Sequence, residues 1–133
     1  MIDVVCAILQ NKSKEVLIAK RSKGIHKDKW EFVGGKVKNG ESFEQALVRE
    51  IKEELNIKIK VNKHLLSTQH SYSDIKVNLH SYFAEITSGT IHLTQHKLCN
   101  WVSPNEILNY DLLEADIPIA KAIIKHKTLI DNS

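Results

Sequence analysis

The sequence predicts an α+β domain in which a mixed β-sheet is sandwiched between α-helices, and three features carry that prediction. Strand-forming runs fill the first part of the chain and recur in its middle. One amphipathic helical pattern separates them over residues 42–55, and a second follows over residues 116–127. Strands, helix, strands and helix in that order fit a layered α/β/α sandwich, uninterrupted by repeats or low-complexity linkers.

Residues 2–9 (Ile-Asp-Val-Val-Cys-Ala-Ile-Leu) are dense in strand formers, and residues 15–20 repeat the signal after a turn at Asn11-Lys12-Ser13-Lys14, which reads as a hairpin. Residues 21–29 are polar, contain Gly24 and suit an exposed loop leading to a short strand at Trp30–Val33, which Gly34-Gly35 should break. Ser42 is a candidate N-cap whose partner three residues on, Gln45, completes a capping box. That helix should end at Asn56, since asparagine often replaces glycine in the left-handed conformation that closes helices. Residues 57–61 alternate as a strand, residues 64–72 form another, and residues 75–86 a longer one with Ile75, Val77, Leu79 and Phe83. Ser103-Pro104 opens a short helix through Tyr110, and Ile119, Ala120, Ile123 and Ile124 mark the last helix.

With 133 residues, 42% of them hydrophobic, one core and a single domain over residues 1–133 are expected. No run approaches the ~20 apolar residues of a membrane span, and Met1-Ile2-Asp3 lacks the basic flank of a signal peptide. The expectation is a cytoplasmic protein without a membrane partner, acting as a monomer or homodimer. Cys6 and Cys99 lack metal or redox spacing and read as buried free thiols. The net charge of +3 comes from scattered lysines, so no stable nucleic acid partner is expected. It would help steer a polyanionic small molecule.

On a helical wheel with Phe43 at zero, Phe43, Ala46, Leu47, Ile51 and Leu55 form an apolar stripe. Glu50 at about 340° and Glu54 at about 20° fall inside it, and Glu53 at about 280° lies on its border. Carboxylates crowded at such spacings repel one another and lose hydration on a packing face unless something neutralises them. A divalent cation would do so, and magnesium characteristically sits between carboxylates and substrate phosphates. A solvated helix face with lysine partners, such as Lys52 or Lys58, is the plainer alternative.

Gly35, then Glu41, then Arg49-Glu50-Ile51-Lys52-Glu53-Glu54-Leu55-Asn56-Ile57 resembles the Nudix box, G-x5-E-x7-R-E-U-x-E-E-x-G-U with U aliphatic, departing only at Asn56. The preceding Trp30-Glu31-Phe32-Val33-Gly34-Gly35-Lys36 is similar to the W-E-F-P-G-G-K segment of the MutT-like branch, with Val33 for proline. The resemblance implies a Nudix fold and a catalytic set of Arg49, Glu50, Glu53 and Glu54. It further implies Mg²⁺, with Mn²⁺ as an alternative ion, held by the three glutamates and the backbone carbonyl of Gly34. Gly35 and Glu41 would be structural, Glu41 pairing with Arg49.

Many MutT-like relatives carry a further glutamate before the tryptophan matching Trp101. The position here is Gln95, which cannot take a proton as a carboxylate does, so Glu53 or Glu50 is the better candidate base. His96 nearby reads as a structural or exposed loop residue. The resemblance places Arg21 where relatives put a phosphate-contacting arginine; Lys36 is either a phosphate contact or plain surface. Asp116, in Ala115-Asp116-Ile117-Pro118, matches an A-D-x-P segment whose acidic residue faces the base, and would equally serve as an N-cap.

The activity implied is hydrolysis of a nucleoside triphosphate to monophosphate and pyrophosphate, on 8-oxo-dGTP first or on (d)CTP-type nucleotides second. Hydrolysis of dinucleoside polyphosphates or nucleotide sugars, and a catalytically silent nucleotide-binding module, are the alternatives.

Overall fold

In the computed structural model, which describes residues 1–131, the chain is organised around strand β1 (Ile2–Leu9). Val5, Ala7 and Leu9 share one apolar cluster with Ala46, Leu47, Ile51 and Leu55 of helix α1 (Phe43–Leu55). Cys6 and Ile8 share the other with Ile119, Ala120 and Ile123 of helix α2 (Ile117–Asp131). Successive side chains of a strand leave by opposite faces, so a strand covered by a helix on each side must be apolar at every position. That is why residues 4–9 read as an unbroken apolar run, and it delivers the expected α/β/α layering.

Two sheets form, where one mixed sheet was expected. The first runs β4 (Gly34–Lys36), β1, β6 (Ile75–Ser88), β5 (Lys58–Tyr72), with β1 antiparallel to β4 and parallel to β6. The second is antiparallel, in the order β3 (Trp30–Glu31), β2 (Val16–Arg21), β7 (His96–Val102).

This topology corrects the expected hairpin of β1 and β2. The turn exists, with Asn11 Oδ1 accepting from the N–H groups of Ser13 and Glu15, but the pairing stops at a Gln10–Val16 bridge. A strand has two edges, and those of β1 are taken by β4 and β6, so β2 joins the other sheet. Gly34-Gly35 does not break the strand region as expected but forms β4. Gly34 lies opposite Cys6, where a Cβ would overlap the Val5 carbonyl, so only glycine permits this pairing.

The strands expected at 57–61 and 64–72 are one, β5, whose register shifts between Val61 and His64 and again between His64 and Leu66. Bulges of this kind interrupt the two-residue period and hide continuity. Strand β7 has no counterpart among the expected elements. Its side chains alternate only weakly between half-buried and exposed, and pairing with β2 holds it in place. The Pro104–Asn109 and Glu114–Asp116 segments are 3-10 turns leading to α2. Cys6 is buried and Cys99 half-buried, both free. Among the described residues, no helix is long and apolar enough to cross a membrane.

Helix α1 begins with the predicted capping box: Ser42 Oγ accepts from the Gln45 N–H at 3.1 Å, and Gln45 Oε1 accepts from the Ser42 N–H at 2.9 Å. It ends at Asn56 in the left-handed conformation, φ 58° and ψ 38°. A Cβ is strained there, so Asn56→Gly is expected to raise the stability by about 0.5–1 kcal/mol. Urea denaturation checks this, with a higher midpoint at unchanged slope as the expected result.

Candidate active site

The inner face of α1 is buried at Ala46, Leu47, Ile51 and Leu55, and Glu50 and Glu54 ride its margin. Their side chains are 12% and 21% exposed, against 52% for Glu53. Burial pushes the Glu50 and Glu54 carboxyls above the ordinary range, partly offset by Arg49 beside the first and His96 beside the second. The wheel thus located the two partly dry carboxylates and the wetter third. Lys52 pairs with none of the glutamates; its ammonium donates to Asn56 Oδ1 at 3.2 Å.

Arg49 ties the preceding loop to the helix. Its Nε and Nη2 donate to Glu41 at 2.6 and 2.9 Å, a two-pronged geometry that suits a guanidinium and a carboxylate. This bond holds the Glu41 carboxyl down at about 2. Nη2 also reaches the Lys36 carbonyl at 3.0 Å, and Nη1 lies 3.2 Å from both Glu50 and Glu53. Gly35 completes the cluster, because a Cβ there would collide with the Glu50 carboxylate. Lys36 contributes its backbone, while its side chain points to solvent. Gly34 is held in the β4–β1 pairing.

Residues 92–94 close the far end of α1. The His92 N–H donates to the Leu55 carbonyl at 2.9 Å, and Thr94 Oγ1 to the carbonyls of Glu53 and Glu54 at 3.2 Å each. The chain is thereby led past Glu54 into β7, whose first residue is His96. That side chain is 5% exposed, which favours the structural of the two expected readings over the exposed one. Its Nε2 lies 2.8 Å from Glu31 Oε2, its Nδ1 4.0 Å from Glu54 Oε2, and Glu31 Oε1 accepts from Arg21 Nη1 at 3.1 Å. Arg21, Glu31, His96 and Glu54 therefore form a continuous chain of charged and polar groups. Sequence reasoning missed Glu31 and His96: Glu31 stood inside the quoted W-E-F segment, and His96 beside Gln95, without any local pattern to mark either.

Among the described residues, three buried side-chain atoms have no hydrogen-bond partner, and all belong to this array: Glu54 Oε2, His96 Nδ1 and Arg21 Nε. Such atoms are costly unless a ligand or water satisfies them. An orphaned carboxylate oxygen among partly dry glutamates fits a hard divalent cation. Among the described residues, no three His, Cys, Asp or Glu side chains converge as a preformed cage. Magnesium ordinarily keeps waters and shares its shell with substrate phosphates, so one or two carboxylates suffice to seat it.

Asp116 lies at the entrance of α2, buried, with Oδ2 accepting from the Phe32 N–H at 2.9 Å. Its bond spans 84 residues of chain and fastens α2 to the segment after β3, a different task from capping. Burial raises its carboxyl to about 8, with Glu31 pushing the same way and the Phe32 N–H against. A pocket of about 840 Å³ is walled by His26, Lys29, Tyr72, Asp111, Leu113 and Ile117, and neither Asp116 nor any of the box glutamates lines it.

Paired carboxylates on a helix, an arginine clamping the loop before it and buried polar atoms without a partner make an arrangement able to seat a divalent cation beside an oxygen-rich substrate. The chain belongs to the Nudix family: residues 2–125 match the NUDIX domain. It is 39% identical over 124 residues to the CTP pyrophosphohydrolase of Escherichia coli K12, covering 93% of this chain and 92% of that one. An 8-oxo-dGTP diphosphatase of Buchnera aphidicola is 32% identical over 123 residues, covering 83% and 92%. The solution structure of the E. coli ORF135 protein superposes with a TM-score of 0.84 at 38% identity, covering 96% and 91%. The MutT protein of Methanosarcina mazei superposes with a TM-score of 0.82 at 25% identity, covering 96% and 93%. The chain is accordingly a Nudix hydrolase with the Nudix fold, a class of enzyme that works with a divalent cation.

Proposed function

We propose that this hydrolase converts a nucleoside triphosphate to the monophosphate and pyrophosphate, with Mg²⁺ as its ion and Mn²⁺ as an alternative. The observation that carries the reading is the pair of partly dry box carboxylates, Glu50 and Glu54, with Glu54 Oε2 buried and unpartnered; Asp116, fastened to Phe32, is the candidate reader of the base. Relatives named as CTP pyrophosphohydrolase and 8-oxo-dGTP diphosphatase support it.

Glu50, Glu53 and Glu54 would hold the cation, joined by the Gly34 carbonyl. Once bound, it neutralises phosphate charge and makes water more acidic. Arg49 fixes the loop and helix relative to each other. Arg21, anchored by Glu31 with Nε still unpartnered, offers a donor to a phosphate oxygen, and Lys36 adds charge from solvent. Glu53, the most exposed of the three glutamates, accepts the proton of the attacking water as a P–O bond to pyrophosphate breaks.

Asp116 turns the choice of base toward cytosine. With its carboxyl raised to about 8 it is protonated at neutral pH, giving one donor and one acceptor. That pattern complements the ring nitrogen and exocyclic amine of cytosine. The Watson–Crick edge of 8-oxoguanine presents donors at both corresponding positions and calls for a carboxylate. The test is a panel of CTP, dCTP, 8-oxo-dGTP, a sugar nucleotide and a dinucleoside polyphosphate with Mg²⁺, products separated by ion exchange. Monophosphate and pyrophosphate from a triphosphate, fastest with cytosine, is the expected result. Tight nucleotide binding without turnover of any triphosphate would sink the proposal.

A further inference from the structure

Four side chains outside the box form a second polar array on the first sheet. His80 on β6 places Nε2 3.0 Å from Asp3 Oδ1 on β1 and Nδ1 2.7 Å from Ser67 Oγ on β5. The same Ser67 oxygen lies 2.8 Å from His64 Nε2. Two imidazole nitrogens from different positions of the sheet thus converge on one small hydroxyl.

Each ring has an aromatic neighbour. His80 stacks on Phe43 at a centroid distance of 4.2 Å, and His64 meets Tyr82 edge-on at 5.1 Å. The Asp3 carboxyl is kept below its ordinary range, chiefly by its bond to His80, so it is ionised near neutral pH. An ionised carboxylate can only accept, so the tautomer a metal requires, with the proton on Nε2, is the one Asp3 favours in the neutral His80 ring, and its Nδ1 then faces Ser67. A carboxylate behind a histidine ring is the arrangement that orients imidazole toward a metal and raises its basicity.

We propose that His64 Nε2 and His80 Nδ1 are the protein ligands of a second cation site, for an imidazole-favouring divalent ion of the zinc class. The ion takes the place of the Ser67 hydroxyl between the two rings, and water fills its remaining positions. Zinc bonds nitrogen at about 2.0–2.1 Å, so the rings must close by only some tenths of an ångström on each side, and exposed His64 is free to make that movement. The site differs in kind from the glutamates of α1, since nitrogen ligands select zinc where carboxylates select magnesium.

The experiment is calorimetric titration of the whole protein with Zn²⁺ in excess Mg²⁺, with the histidine ring resonances followed by NMR. The wild type is expected to bind Zn²⁺ with shifts at His64 and His80. His64→Ala and His80→Ala should each weaken binding roughly a hundredfold, and Asp3→Asn about tenfold. Ser67→Ala should keep it, because the hydroxyl is displaced. Thermal melts without zinc show which variants remain folded, and Ser67→Ala with the wild-type NMR shifts keeps the test decisive if a histidine variant does not. Zn²⁺ binding that survives both histidine substitutions, or that leaves both rings unshifted in the wild type, overturns the proposal.

Discussion

Glu53→Gln is expected to lower kcat by roughly 10²–10⁴-fold while leaving thermal stability nearly unchanged. Glu53 is half-exposed, and its recorded partner is Arg49 at 3.2 Å, which is also fixed by Glu41 and the Lys36 carbonyl. Glutamine keeps the shape and one acceptor oxygen, so the box should remain assembled and stability should move by no more than about 0.5 kcal/mol. What is lost is the charge that helps hold the cation and the ability to take a proton. Glu41→Gln makes the contrast, because it weakens the two-pronged bond to Arg49 and should lower stability together with rate. Steady-state kinetics at saturating nucleotide and Mg²⁺, with a melt on the same sample, check the pair. A kcat near wild type for Glu53→Gln would remove that residue from the chemistry.

The helix carrying these groups was legible because its information is local. Ser42 and Gln45 stand three residues apart, the stripe from Ala46 to Leu55 repeats with the helical period, and Asn56 follows as a terminator. The same arithmetic put Glu50 and Glu54 on the packing face. What escaped was non-local. No period in residues 96–102 marks β7, whose placement depends on β2 some eighty residues earlier in the chain. The bond from His96 to Glu31 and that from Asp116 to Phe32 close loops of 65 and 84 residues, so neither partner announces the other in sequence. Glu31, which meets His96, and Phe32, whose N–H donates to Asp116, directly follow Trp30 in the segment similar to W-E-F-P-G-G-K, which carries no signal for what either would hold. The hairpin expectation failed for a related reason: whether two adjacent strands pair depends on which other strands already occupy their edges.

Asp116→Asn and Asp116→Ala are expected to diverge sharply, although each removes the same acid. Alanine leaves the Phe32 N–H buried without an acceptor, a cost of about 1–3 kcal/mol, and erases the donor and acceptor offered to the base. Preference among bases should shrink by roughly 10–100-fold in kcat/KM, the worth of one or two such bonds. Asparagine keeps the Phe32 bond through its carbonyl and presents an N–H where the protonated carboxyl had its O–H, so the cytosine preference should survive. The pH response separates them further. The Asp116 carboxyl is raised from 3.8 to about 8, so between those values the folded protein retains a proton that the unfolded chain releases. The contribution is full below about pH 4 and is lost progressively as pH rises toward 8, so this residue makes stability fall with pH across that window. Asparagine has nothing to titrate, so its stability should be flatter and should gain on the wild type at pH 8–9. Its cytosine turnover should likewise persist above pH 8, where the wild-type carboxyl ionises and loses its donor. Urea midpoints and kcat/KM for CTP and 8-oxo-dGTP from pH 6 to 9 supply both curves. If the two variants lose cytosine preference alike, Asp116 is not reading the base as a neutral acid. If asparagine shows the wild-type pH slope, the proton responsible belongs to another group.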